Sequence, residues 1–175
     1  MTDQELLTAW AGGDKEAADQ LLRRYVPLVH RFFHGKIDGD AEDLVQRTFT
    51  ACVQRVDRFR GEGTFRAYLL GIARYELLGE LRSRRRRPHL DPAVQSLDDV
   101  GPRPSAVLAQ RQELQLLRAA LRRVPLDLQL LVELRYWEGL DSSEIAAVLE
   151  VPRGTVRSRL HRARSLLAEQ IREVA

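Results

Sequence analysis

Residues 134–164 read LRYWEGLDSSEIAAVLEVPRGTVRSRLHRAR, and they decide the fold class of the second half of the chain. A short helix is expected after Asp141 or Ser142, because either side chain can accept hydrogen bonds from the first free backbone amides. Pro152 prevents this helix from continuing, and Gly154 opens a second one. Two short helices joined by a tight turn are typical of a helix-turn-helix, whose second helix enters the major groove of DNA.

The second of these helices has an apolar face and a basic face. Its inward positions are Val156, Leu160, Ala163 and Leu167, to which the first helix and the turn add Ile145, Ala146, Leu149 and Val151. Its outward positions are Arg153, Arg157, Ser158, His161, Arg162 and Arg164. Arginine suits bidentate contact with guanine edges, and serine or histidine can reach a base or a phosphate. A solvated basic face on an ordinary helix is the alternative, but the cap, the turn and the apolar stripe together favour DNA binding.

Length and composition narrow the remaining possibilities. The chain has 175 residues, room for one ordinary domain or two small ones, which excludes a large enzyme barrel. No apolar run approaches the roughly 20 residues that span a bilayer, and the acidic N-terminus is unlike a secretory signal. We therefore expect a cytoplasmic protein without membrane insertion. One cysteine, Cys52, excludes an internal disulfide framework and a zinc site built from thiolates.

The net charge of +3 averages segments of opposite sign. Residues 1–50 hold 6 basic and 9 acidic residues, and residues 51–87 hold 10 and 4. Residues 88–150 then hold 6 and 10, and residues 151–175 hold 6 and 2. This alternation predicts two separate basic surfaces, each a candidate contact for nucleic acid.

The first half also has the periodicity of helices. Two helices are expected within residues 1–35, separated by Gly12 and Gly13, with Asp14 capping the second and Pro27 kinking or ending it. A third follows, with an apolar stripe of Leu44, Val45, Phe49, Cys52, Val53, Val56 and Phe59. Thr64 should cap a fourth that reaches about Tyr75, and a last helix should carry Leu77, Leu78 and Leu81 into the arginines of residues 82–87.

From Pro88 to about Ser105 the periodicity is lost among prolines and acids, which indicates a flexible linker. Two further helices, ended by Pro125 and Gly139, precede the helix-turn-helix, and no strand pattern is present. The chain is thus predicted to be all-α, with two small helical domains at 1–87 and 107–175 joined by a linker at 88–106.

Residues 134–164 resemble region four of the extracytoplasmic-function (ECF) sigma factors, the small members of the sigma-70 family of bacterial transcription initiation factors. Residues 42–87, EDLVQRTFTACVQRVDRFRGEGTFRAYLLGIARYELLGELRSRRRR, resemble region two. The two matches come in the family's order and cover nearly the whole chain. The resemblance implies a subunit without catalysis or cofactor of its own. Its partners would be core RNA polymerase, through the clamp helices of the largest subunit and the flap of the second subunit, promoter DNA, and as a further candidate an anti-sigma factor.

The resemblance also implies a role for individual residues. Polymerase binding falls to Glu42, Asp43, Leu44, Gln46 and Arg47. Reading of the minus-10 element falls to Arg60, Phe65, Arg66, Tyr68, Arg74, Tyr75, Arg82, Arg84 and Arg85. Reading of the minus-35 element falls to Arg153, Thr155, Arg157, Ser158, His161, Arg162 and Arg164.

Some of these roles have an alternative in physical terms. The acids before Leu44 also suit the positive end of an ordinary helix. Aromatic rings can stack on unpaired bases while cations hold the strand, but Phe65 and Tyr68 could equally belong to the core. Many ECF factors read Ile-Ala-Arg-Asn where this chain reads IARY. A phenol at Tyr75 stacks and donates one hydrogen bond but lacks a two-sided amide, so the family's base preference does not carry over.

Two other function classes are compatible with parts of the sequence. A helix-turn-helix regulator with a separate N-terminal sensing or dimerisation domain is the main alternative. A metal-dependent enzyme built on His30, His34 and nearby acids lacks a third ligand of matching geometry. The second basic, aromatic-bearing surface at 59–87 favours the sigma factor, because a simple regulator has no need of it.

Overall fold

The computed structural model describes residues 1–37, 41–59, 61, 63–86 and 115–174, and these residues form helices and the turns between them. The N-terminal half contains α1 (Asp3–Ala11), α2 (Lys15–Phe33), α3 (Glu42–Arg55), a 3₁₀ turn (Val56–Arg58) and α4 (Phe65–Arg86). The C-terminal half contains α5 (115–123), α6 (Leu126–Tyr136), α7 (Ser142–Leu149) and α8 (Arg153–Val174). The chain divides into two compact units, within 1–95 and 96–175. The prediction of an all-α protein with two helical domains is confirmed, whereas the predicted linker at 88–106 lies outside the described residues.

In the N-terminal unit, α2 packs against α1, α3 and α4, and α3 also packs against α4. The fully buried side chains include Leu6, Leu21, Phe33, Leu44, Leu69, Leu70 and Leu77. Burying each such side chain stabilises the fold by about 2 kcal/mol. Asp3 of α1 accepts hydrogen bonds from Arg24 and Tyr25 of α2, which fixes the first helix on the second.

The two caps predicted for this unit are present, but an end at Pro27 is wrong. Asp14 accepts hydrogen bonds from the amides of Glu16 and Ala17 at 2.9 and 3.1 Å. Thr64 Oγ1 accepts one from the amide of Ala67 at 3.2 Å. Helix α2 runs through Pro27 to Phe33, because the apolar residues after the proline are buried and their packing outweighs one missing backbone hydrogen bond.

The apolar stripe of α3 is also displaced from its predicted position. Leu44, Val45 and Cys52 are buried as expected, but Val53 is 49% exposed. The buried face is completed by Thr48 and Ala51. Thr48 lies one helical turn from both Leu44 and Cys52, and Ala51 lies two turns after Leu44. Val53 falls on the opposite face because each residue turns the helix by about 100°.

Helix α4 is one continuous helix of 22 residues, where the sequence predicts two. Gly71 and Gly79 lower the helical propensity of the segment. The buried residues Leu69, Ala73 and Leu77 nevertheless keep one stripe across the expected break near Tyr75. Tertiary packing therefore decides the length of α4, and the arginines at its end extend a helix that begins at Phe65.

In the C-terminal unit, α8 packs against α6 and α7. Its core holds Leu130, Leu131, Leu134, Leu140, Ile145, Val156 and Ala163. Pro125 precedes α6 as its N-cap residue, and Gly139 has a φ of 65° in the loop before α7. Both residues lie where the sequence predicts an end of a helix. One face of α8 therefore packs against the rest of the C-terminal unit, and the opposite face is exposed to solvent.

Candidate nucleic-acid interfaces

Helix α7 begins and ends where the sequence predicts. The Asp141 carboxylate accepts hydrogen bonds from the amides of Glu144 and Ser143 at 2.9 and 2.6 Å, and these bonds hold the pKa of Asp141 below its usual value. In return, Glu144 accepts the amide of Asp141 at 2.8 Å. This reciprocal cap fixes the start of α7. Glu150 ends it in the left-handed conformation, with φ 54° and ψ 46°.

Helix α8 presents the predicted basic face. Val156 and Ala163 are fully buried, while Leu160 and Leu167 are half-buried. All six predicted outward residues are exposed: Arg153, Arg157, Ser158, His161, Arg162 and Arg164. An open depression of about 470 Å³ on this face is lined by Gly154, Arg157, Ser158, His161 and Arg164. The surface combines cations with polar groups, as contact with phosphates and base edges requires.

Two polar residues of α8 do not share the exposure of the basic face. Thr155 is half-buried, and its carbonyl oxygen accepts a hydrogen bond from Ser158 Oγ at 3.0 Å. Arg159 faces the other way, with its guanidinium 3.9 Å from the Asp127 carboxylate of α6. The helical period places Arg159 off the basic face, which explains why it belongs to the packing side of α8.

The second basic surface lies on α4. Arg82, Arg84 and Arg85 are exposed, as is Arg86, which the sequence-based set omits. Arg66 and Arg74 are half-buried, and Arg60 lies outside the described residues. Four exposed arginines within five residues form a strong local positive charge at the end of one helix.

The three aromatic residues predicted to stack on bases occupy different environments. Phe65 is 2% exposed and packs edge-on against Tyr25, so it is a core residue and cannot stack on a base in this structure. Tyr68 is half-buried, contacts the ring of Phe59, and donates a hydrogen bond to the Arg55 carbonyl at 2.9 Å. Tyr75 is 59% exposed. Of the three, it alone presents most of its ring to solvent.

The start of α3 presents acids and an amide to solvent. Glu42, Asp43 and Gln46 are exposed, whereas Leu44 is 2% exposed and belongs to the core. The side chain of Leu44 thus helps to hold α3 in the N-terminal unit, and its part in polymerase binding stays a prediction. Val53 is also exposed on this helix, although its apolar side chain predicts burial.

Arg47 of α3 faces α4 instead of standing free on the predicted binding surface. Its guanidinium lies 3.1 Å from Glu80, 3.8 Å from Glu76 and 3.2 Å from Asp43. Glu80 also accepts a hydrogen bond from Arg84 at 2.8 Å. The bonds from Arg84 and then Arg47 hold the pKa of Glu80 below its usual value. Arg47 thus positions α3 on α4, a role that its place in the sequence does not reveal.

The remaining reactive residues form no site in the described part of the chain. Cys52 is fully buried, and burial raises the pKa of its thiol to about 12. His30 Nε2 lies 3.5 Å from Glu42 Oε1. Among the described residues, no three His, Cys, Asp or Glu side chains are grouped as a metal site would need. None of the helices searched there is both long and apolar enough to cross a membrane.

Two family patterns match the chain, one in each half. The family described as Sigma-70 region 2 matches residues 21–87, and the family described as Sigma-70, region 4 matches residues 114–167. The first contains α3 and α4, and the second contains the helix-turn-helix. Both basic surfaces therefore fall within matched regions.

Full-length relatives agree with these matches. The chain is 30% identical to the ECF RNA polymerase sigma-E factor of Escherichia coli K12, over 98% of this chain and 95% of that protein, and equally similar to its Salmonella typhimurium counterpart. Among solved structures, CnrH in complex with the cytosolic domain of CnrY superposes with a TM-score of 0.69 at 26% identity, over 99% of both chains. The sigma factor RpoE of Bartonella quintana, in complex with the anti-sigma factor NepR, has the same fold, with a TM-score of 0.66 at 24% identity over 88% of this chain and 96% of that one.

Proposed function

The chain belongs to the ECF sigma factors of the sigma-70 family, and we propose that it binds core RNA polymerase and directs transcription initiation at specific promoters. The observation that carries this function is the alignment with a sigma-E factor over 98% of the chain, which includes both helical units. A helix-turn-helix regulator would account for α8 alone. That alternative assigns no function to the exposed start of α3 or to the basic end of α4.

The docking surface for polymerase is the exposed start of α3. Glu42, Asp43 and Gln46 supply its polar contacts. Leu44 and Arg47 act indirectly, the first through the core and the second through Glu76 and Glu80. The expected partner surface is the clamp of the largest polymerase subunit, while the C-terminal unit binds the flap of the second subunit.

The minus-35 element is read by the basic face of α8. Arg157, Ser158, His161 and Arg162 take the base edges, because they occupy the middle of the exposed face. Arg153 and Arg164 contact phosphates at its margins. This division follows the general pattern in which phosphate contacts position a helix and base contacts specify the sequence.

The minus-10 element is bound by α4 once the duplex opens. Opening costs about 1.4 kcal/mol per base-pair step, so each captured base must offset a similar amount. Tyr75 provides a ring face, and Arg82, Arg84, Arg85 and Arg86 provide charge for the strand. The polymerase carries out the chemistry in the cytoplasm, and this chain contributes recognition without catalysis or a cofactor. An anti-sigma factor remains a candidate partner of the free chain.

Association with polymerase tests the function at the α3 surface. The purified chain should co-elute with core RNA polymerase. Gln46→Ala should weaken the complex by about fivefold or more, because it removes a polar contact of the proposed interface. Gln20→Ala removes the same side chain from an exposed position on α2 and should leave the affinity unchanged. A chain that binds DNA but never associates with polymerase would instead be a helix-turn-helix regulator.

A further inference from the structure

Arg47 lies between the two surfaces that the N-terminal unit is proposed to present to its partners. On one side is Asp43 at the start of α3, whose carboxylate lies 3.2 Å from the Arg47 guanidinium and is largely exposed. On the other side is Glu80 of α4, 3.1 Å away, which also accepts a hydrogen bond from Arg84 at 2.8 Å. A row of alternating charge thus runs from the proposed polymerase surface to the basic end of α4, through Asp43, Arg47, Glu80 and Arg84.

The Arg47 guanidinium has alternative acceptors within reach. Among the described residues, its Nε atom is inaccessible to solvent and has no hydrogen-bond partner, although Asp43 lies 3.2 Å from it and Glu76 of α4 lies 3.8 Å from it. A small rotation of the side chain would complete a bond with one of these carboxylates at the expense of the other. Two helices therefore compete for the same cation.

Glu80 is shared in a similar way. One of its oxygens accepts a hydrogen bond from Arg84 and the other accepts one from Arg47. Both guanidiniums hold the pKa of this carboxyl below its usual value, Arg84 more strongly than Arg47. Because one negative charge is divided between two cations, a closer approach of Arg47 weakens the attraction between Glu80 and Arg84. A ligand at one end of the row therefore changes the charge that is available at the other end.

We propose that Arg47 couples the polymerase surface at the start of α3 to the phosphate-binding charge at the end of α4. The inference rests on the proposed function and adds a link between its two binding events. The acidic start of α3 fits a cationic partner surface. A cation that engages Asp43 frees Arg47 for the glutamates of α4, and Glu80 then releases Arg84 to a phosphate. Each event favours the other, because coupling between two binding sites is reciprocal.

The expected coupling is modest, because the contacts that carry it are partly exposed. The side chains of Arg47 and Arg84 are 40% and 38% exposed. Ion pairs of this kind change an equilibrium constant by a factor of about 1.5 to 5. We therefore expect an effect of about twofold when one contact of the row is broken.

Removal of Arg84 should strengthen binding to polymerase. Without Arg84, Glu80 holds Arg47 more closely and leaves Asp43 to the partner. A titration of the fluorescently labelled full chain with core polymerase should show about twofold tighter binding for Arg84→Gln. Arg85→Gln removes the same charge from the next position, which makes no ion pair among the described residues, and should leave the affinity unchanged.

Breaking the row at either inner residue should abolish this effect. In an Arg47→Gln chain, and separately in a Glu80→Gln chain, the further change Arg84→Gln should no longer alter the affinity for polymerase. Circular dichroism and urea denaturation show whether each chain is folded. The two backgrounds break the row at different residues, so a folding defect in one leaves the other to decide.

The reciprocal effect is measured on the full chain without polymerase. The probe is a short labelled DNA duplex of arbitrary sequence, whose phosphates the arginines of α4 can reach. Asp43→Asn frees Arg47 and should tighten binding by about twofold relative to Glu42→Gln, which removes an equal charge from the adjacent exposed position. The difference between these two variants should vanish when Arg47 is also replaced by glutamine.

The inference is overturned if Arg84→Gln and Arg85→Gln change the affinity for polymerase equally, or if the effect of Arg84→Gln persists in both the Arg47→Gln and the Glu80→Gln chains. It is also overturned if Asp43→Asn and Glu42→Gln bind the duplex alike. Failure of the proposed function is distinct, because the wild type then never binds polymerase, while the duplex measurement still decides whether the row couples its two ends.

Discussion

Arg157 illustrates how α8 presents a single side chain for the proposed contact with DNA. It is exposed, and it lines the same depression as Ser158 and His161. Val156, the preceding residue, is fully buried and fixes the orientation of the helix on the C-terminal unit. A helix held by its buried face can bring an exposed guanidinium to the major groove, where two of its nitrogens can donate to a guanine edge.

Replacement of Arg157 by alanine should therefore reduce promoter discrimination. We expect a loss of about 1 to 3 kcal/mol between the cognate minus-35 element and a version with one base pair changed, measured by holoenzyme binding to both duplexes. Arg164→Ala should weaken binding to the two duplexes equally, since a phosphate contact carries no sequence information. Arg172→Ala, exposed near the end of α8, is the control. Equal weakening of both duplexes by Arg157→Ala would assign it to phosphate instead.

The sequence predicts the exposure of some side chains correctly and not that of others. The six outward residues of α8 are exposed because the caps, the turn and the apolar stripe specify one helical phase. Phe65 and Tyr75 are both aromatic residues of α4, yet one is buried and the other is exposed. The difference depends on which neighbours cover each ring. Tyr25 covers Phe65 from another helix, a contact that is distant in sequence.

At the scale of elements, helix existence was predictable and helix length was not. The cap at Asp14, the cap at Thr64 and the reciprocal cap at Asp141 are local interactions, so the sequence reveals them. The continuity of α2 through Pro27 and of α4 past Tyr75 depends on packing against other helices. Local propensity favours a break in both places, and the buried faces override it.

The turn between α7 and α8 contains a strained residue whose replacement should stabilise the fold. Glu150 has a φ of 54°, a left-handed conformation that costs a residue with a side chain roughly 1–2 kcal/mol. Glycine adopts it without that cost. Glu150→Gly should raise the free energy of unfolding of the C-terminal unit by about 1 kcal/mol, measured by urea denaturation.

Glu150→Ala provides the control for charge. It removes the carboxylate from the negative end of α7 but keeps the Cβ atom that causes the strain. If glycine and alanine stabilise equally, the gain comes from the charge, and the strain at this turn contributes nothing.

At the scale of the whole molecule, the chain combines three surfaces on two helical units. The exposed start of α3 is the proposed contact for polymerase. The basic C-terminal end of α4 and the basic face of α8 are the proposed contacts for DNA. The net charge of +3 hides this arrangement, because basic and acidic segments alternate along the sequence. The alternation predicted two basic surfaces, but only the structure separates Arg47, which pairs with Glu76 and Glu80, from the arginines that remain exposed.

Promoter-dependent transcription tests the central claim most directly. Core RNA polymerase would be incubated with fragmented DNA of the source genome, with and without the purified chain, and the 5′ ends of the transcripts would be sequenced. We predict a small set of discrete start sites that require the chain, each preceded by a shared minus-35 and minus-10 element. Transcripts identical with and without the chain, despite its binding to DNA, would contradict its function as a sigma factor.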